Sequence, residues 1–115
     1  MSVIETPTRL ATSFLVVLRI ALSGDDSDVD TAVGSIDHRI RWMRSVGERF
    51  GDVQMSHDQA ADSTTVIITA APPARPNVRS ASAARLMIES ALMNELRSTG
   101  TVRIDHVHTT SQELS

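Results

Sequence analysis

Positions 12–22 read TSFLVVLRIAL, and their side chains divide by parity. Phe14, Val16, Leu18, Ile20 and Leu22 make one wholly apolar face, while Leu15, Val17, Arg19 and Ala21 make the other. A period of two in β-branched and apolar residues predicts a strand. The rival is a helix, because Thr6-Pro7 reads as an N-cap followed by proline and Gly24 as a C-terminal stop. The exit, SGDDSDVD at 23–30, favours the strand, since it suits a strand-to-helix loop with Ser27 or Asp28 as the next N-cap.

A helix follows to about residue 50. Val29, Val33, Ile36, Ile40, Met43 and Phe50 recur every three or four positions and form one apolar stripe, with Asp37–Arg41 and Arg44–Glu48 as ion pairs on other faces. Gly51 closes it. Two shorter strands come next. In 52–58, Val53, Met55 and His57 share a face. In 64–70 Val66 and Ile68 flank Ile67 without strict alternation, which reads as burial on both sides. A proline-rich loop at 71–80 leads into a second helix at 82–98, and 101–110, TVRIDHVHTT, reads as a last strand.

The order β-α-β-β-α-β consists of two similar strand–helix–strand halves joined by a hairpin. It predicts an α+β fold, the ferredoxin-like βαββαβ split sandwich: a four-stranded antiparallel sheet with both helices on one face. The expected spatial order is 4-1-3-2, with strands one and three central and parallel. Residues 12–110 are expected to form this single domain, between an N-terminal tail at 1–11 and a C-terminal tail at 111–115.

Both helices on one face leave the other face open. Leu15, Val17, Arg19 and Ala21 should lie there with Thr65, Ile67 and Thr69, and Arg103, Asp105 and Val107 from the last strand. That mixture is too apolar for bare solvent and too polar for a core, and such a patch commonly meets a second copy of the same sheet. The second helix points the same way. Its core stripe is Ala84, Met87, Ile88, Ala91, Leu92 and Glu95, while Leu86 and Met93 share another face. The interface candidates are therefore Leu15, Val17, Arg19, Ile67, Val107, Leu86 and Met93. Cover of Leu86 and Met93 by the first helix is the alternative.

Composition narrows the chemistry. The 115 residues contain no Cys, which removes disulfides, zinc-thiolate sites and thiol catalysis. A net charge of −3 gives no general pull toward nucleic acid or membrane. No apolar run is long enough to span a bilayer, and MSVIETPTRL lacks the basic-then-apolar order of a signal peptide, so a cytoplasmic protein is expected. Arginine supplies every basic residue and lysine none, as in a GC-rich coding sequence of a bacterium or phage. Tyr is absent, and Phe14, Trp42 and Phe50 are the only aromatics, too few for a base-stacking platform.

Four constellations invite a chemical reading. Asp26, Asp28 and Asp30, with Asp37, imitate a calcium loop, but Thr31 stands where the sharp turn needs glycine, and the segment reads as helix. Arg75 and Arg79 precede Ser80 and Ser82 at a helix start, which makes these four an anion-binding candidate. With the two strand-to-helix loops expected at one edge, Asp25, Asp26 and Asp28 are alternatively expected to pair with Arg75 and Arg79. His38, Arg39, Arg41, Arg44 and Arg49 surround Trp42 on the first helix, yet Asp37 and Glu48 offset them and argue against nucleic acid. His106 and His108 project to one side of a strand, as a two-histidine metal or acid–base site requires, but His57 should lie about 14 Å away across three strand spacings. Completing such a site needs a bulge or a second subunit. A polar strand end is the simpler reading, and no metal or cofactor is implied.

No glycine-rich phosphate loop, nucleophile elbow or close acid pair is present. The reading is a non-enzymatic interaction or assembly module, regulatory or structural, acting as a homodimer or larger oligomer through its open sheet face. A further protein partner is possible, while nucleic acid and membrane are not expected. The alternatives are a small dimeric α+β-barrel-type enzyme using His106 or His108, or an anionic-metabolite-binding regulatory domain.

Overall fold

The first segment is a strand. In the computed structural model β1 spans Ser13–Ser23, followed by α1 (Asp26–Ser45), a short α2 (Gly47–Phe50), β2 (Val53–Gln59), β3 (Thr64–Ala70), α3 (Ala81–Arg97) and β4 (Arg103–Leu114). The structure describes residues 12–61, 63–97 and 102–114, apart from the side chains of Met93, Leu96, Arg97, Asp105, His106 and Val107. The expected N-terminal tail at 1–11 lies outside these residues. The four strands form one sheet in the order β2-β3-β1-β4, with every neighbouring pair antiparallel.

That order is the expected 4-1-3-2, but the expected parallel pairing of β1 and β3 is wrong. They run antiparallel, from Val16 opposite Ala70 to Leu22 opposite Thr64. The reason is the hairpin: α1 carries the chain back so that β2 runs with β1, and β3 pairs antiparallel to β2 and so runs the other way. As a result, β1 and β3 end at opposite ends of the sheet. The acidic loop at Asp25–Asp28 and the arginine loop at Arg75–Arg79 are therefore apart, and the salt-bridge cluster between them does not form.

One face of the sheet packs under α1 and α3. Phe14, Val16, Leu18, Ile20 and Leu22 of β1 are all fully buried there, against Ile36, Ile40 and Met43 of α1 and Ala84, Ile88 and Leu92 of α3. Burying each large side chain contributes roughly 1.5–3 kcal/mol. Both helical stripes are those that the spacing predicts, with Ala32 added and Val33 and Met87 half-buried. Arg39 ties the helices together: its Nε donates to the Ala91 carbonyl at 2.7 Å, and its guanidinium lies 4.1 Å from the Trp42 ring centroid.

Local details differ at both ends of the first helix. It starts at Asp26 with Asp25 as N-cap residue, not at Ser27 or Asp28. It also breaks at Val46 (φ −113°, ψ 48°), where the backbone N–H turns to the Met43 carbonyl, and α2 resumes at Gly47. The break separates Arg44 from Glu48, and Arg44 Nε instead donates to the Val53 carbonyl at 2.7 Å. The Asp37–Arg41 pair forms as expected at 3.0 Å. Gly51 takes φ +70°, and a Cβ there would overlap the Ala71 carbonyl, so only glycine fits.

β4 carries the largest departure. It runs on to Leu114, paired with Ser13, so residues 111–114 are strand and not a tail. Its register slips as well: Ala21 faces His106, whereas Leu22 faces Ile104, leaving Asp105 as the extra residue of a β-bulge. Beyond the bulge every position changes face. Thr109 demonstrates the new parity, since its hydroxyl donates to Glu89 Oε2 of α3 at 2.8 Å on the helix side.

Candidate functional site

The open face is built by parity from the same strands that build the core. Cross-strand pairs place Gln54, Thr69, Val17 and Thr110 in one row, and Ser56, Ile67, Arg19 and His108 in the next. Leu15 and Gln112 form a further row beside Val17. Leu15, Val17 and Ile67 are half-buried, because each lies between neighbours on a pleated surface with no described element above it. Arg19 is exposed at the centre and Asp58 is exposed on β2. No described helix or strand lies over this face.

The bulge redistributes the candidates on β4. Regular alternation puts His106 and His108 on the core side and Val107 on the open side. The observed register does the reverse: His108 pairs with Arg19 and His106 with Ala21, both in open-face rows, while Val107 pairs with the buried Ile20. By register alone, Val107 falls in a core-side row and His108 in an open-face row. β2 is at the opposite edge, so His57 is remote from both. Among the described residues no three His, Asp or Glu gather as a metal group would require.

Of the expected anion quartet, Arg75 alone lines a groove described below. Ser80 is used as the α3 cap, its Oγ accepting from the Ala83 N–H at 3.1 Å. Arg75 is held in a tight turn by reciprocal backbone hydrogen bonds with Val78 of 3.0 and 2.9 Å, and Arg79 and Ser82 are exposed. Arg75 instead turns to α2, its Nη1 reaching the Glu48 carbonyl at 3.5 Å. There it lines a groove of about 480 Å³ with Ser45, Val46, Gly47, Glu48 and Arg49. Spacing in the sequence gives no hint that Arg49 and Arg75 line one groove.

Two other candidates take structural roles. The Asp26–Asp30 run lies within α1, a conformation no calcium loop adopts. The arginines of α1 are engaged within the chain: Arg39 with Ala91, Arg41 with Asp37 and Arg44 with Val53. Trp42 packs its ring 5.6 Å from that of Phe50 and remains 38% exposed. Leu86, at 57% exposure, is not covered by α1, while the side chain of Met93 lies outside the described set.

No family model and no curated protein matches the chain. Solved structures do. The designed protein Foldit4 superposes with a TM-score of 0.54 at 13% identity, covering 88% of this chain and 99% of its own. A dimeric ferredoxin-like protein from an uncultured marine organism gives 0.56 at 13% identity, covering 89% of this chain and 95% of its own. The designed Ferredog-Diesel gives 0.53 at 11% identity, over 96% and 95%. The fold is ferredoxin-like. At such identities the likeness concerns the backbone alone, and a ferredoxin-like sandwich hosts many activities, so function has to be argued from surfaces. No helix among the described residues is long and apolar enough to cross a membrane.

Proposed function

We propose that this chain is a small self-associating module whose open sheet face meets the same face of a second copy, serving assembly or regulation rather than catalysis. The observation that carries this reading is the trio Leu15, Val17 and Ile67, half-buried side by side on the uncovered face. A solvated antiparallel face is ordinarily polar, and apolar side chains at three central positions weaken solubility unless something covers them. A second copy fits better than an unrelated partner. Arg19 and Asp58 occupy the same face on different strands, and a two-fold axis would bring each beneath its opposite number, twice over. The ferredoxin-like protein from the marine organism is itself dimeric. Leu86 offers a second apolar contact on α3 for a larger assembly.

The enzyme alternative requires His106 or His108 in a pocket between helix and sheet. The bulge argues against it by assigning both to open-face rows. In the self-associating reading they become interface residues, and any chemistry they perform is completed by the second copy.

Sedimentation equilibrium is the test. The wild-type chain is expected to be dimeric or larger at micromolar concentration, and Ile67→Arg to weaken association at least tenfold while keeping a cooperative unfolding transition. A monomeric wild type at high concentration removes the proposal.

A further inference from the structure

A groove at the end of the sheet carries a separate inference. Four arginines are committed within the chain: Arg39 to the Ala91 carbonyl, Arg41 to Asp37, Arg44 to the Val53 carbonyl and Arg85 toward Glu89 at 3.8 Å. Arg49 and Arg75 are not neutralised in this way. Neither makes a salt bridge with a described residue, and the contact of Arg75 is with a backbone carbonyl. Both are exposed, and both line the same groove of about 480 Å³. They also share an adjoining cleft of about 210 Å³ with Asn77, Val78 and Met87.

We infer that this groove holds the oxyanion head of a small phosphorylated or carboxylated metabolite between Arg49 and Arg75. A guanidinium is a planar fork of donors that matches a carboxylate or phosphate edge, and two of them lining one groove favour an anion over a cation. Glu48 is the single acid in the lining, so the charge there remains positive. Asn77 adds a side-chain amide, and Met87 with Val46 offers apolar surface for the remainder of the ligand. The volume falls within the range of small-molecule sites, roughly 300–1,000 Å³. The site differs from the quartet that the sequence suggests: it keeps Arg75, replaces Arg79 with Arg49, and leaves Ser80 to cap α3. None of its residues belongs to the open face, so the inference stands or falls apart from self-association.

Amide spectra of the ¹⁵N-labelled full chain, titrated separately with inorganic phosphate and with citrate at constant ionic strength, provide the test. Saturable shifts confined to 45–49 and 75–78 are expected, and the tighter arm names the ligand class. Arg49→Ala and Arg75→Ala should each weaken binding at least tenfold, and Arg79→Ala less than twofold. Shifts that fail to saturate with both anions, or that survive in both groove variants, overturn the inference. So does a shift of the same amides on raising protein concentration alone that Asp25→Asn/Asp26→Asn abolishes, because the occupant is then the acidic end of another copy.

Discussion

The two faces of β1 belong to one strand, yet they meet different fates. Phe14, Val16, Leu18, Ile20 and Leu22 are sealed beneath the helices without exposure, while Leu15, Val17 and Ala21 are only half-buried and Arg19 stands in solvent. Both faces are rich in apolar residues, so composition alone does not separate them. What separates them is the presence of a covering layer. The helices satisfy the first face within the chain, and the second retains apolar side chains with no cover among the described residues. That contrast is the physical basis for assigning stability to one face and association to the other.

Truncating the covered face should have the largest effect. Leu18→Ala leaves a cavity among α1, α3 and the sheet, and is expected to lower stability by about 2–5 kcal/mol in denaturant unfolding. A loss below about 1 kcal/mol would mean that the helices do not pack as described. Gly51→Ala comes next. It forces a side chain against the Ala71 backbone at φ +70°, at a cost of about 2–3 kcal/mol read as a drop in Tm. Thr109→Val removes the hydroxyl that meets Glu89 and should cost about 1–2 kcal/mol. A neutral result would put Thr109 on the open face and erase the bulge. On the open face itself, Val17→Thr should change the stability of the isolated subunit by less than about 1 kcal/mol while weakening association, a difference visible by comparing unfolding midpoints at two protein concentrations.

Much of this architecture is legible in the sequence because periodicity is strong where burial is one-sided. The β1 alternation and the α1 and α3 stripes follow directly from which residues face the core. The open face is legible for the same reason, and Leu15, Val17 and Ile67 are found where parity puts them. The pairing direction of β1 and β3 is not a local property. It depends on the hairpin and both crossovers together, and misjudging it places the acidic and basic loops at one edge instead of at opposite ends. The bulge at Asp105 leaves no mark in RIDHVH, where polar and apolar residues alternate on either register, so periodicity alone gives the wrong register beyond it and puts His108 in a core-side row. The Arg49–Arg75 groove is equally hidden. It joins the α1–α2 junction and α2 to the loop before α3, and the break at Val46 is what sets Arg49 on a separate short helix.

The central claim is that the uncovered face of the sheet meets its own copy. The most direct measurement is an isotope-filtered NOE experiment on an equal mixture of ¹³C-labelled and unlabelled chains. The account predicts intermolecular cross-peaks from the methyl groups of Leu15, Val17 and Ile67, with none from the buried Leu18 and Ile20. A sample with no intermolecular cross-peaks, or with cross-peaks from Leu86 on α3 alone, would contradict it.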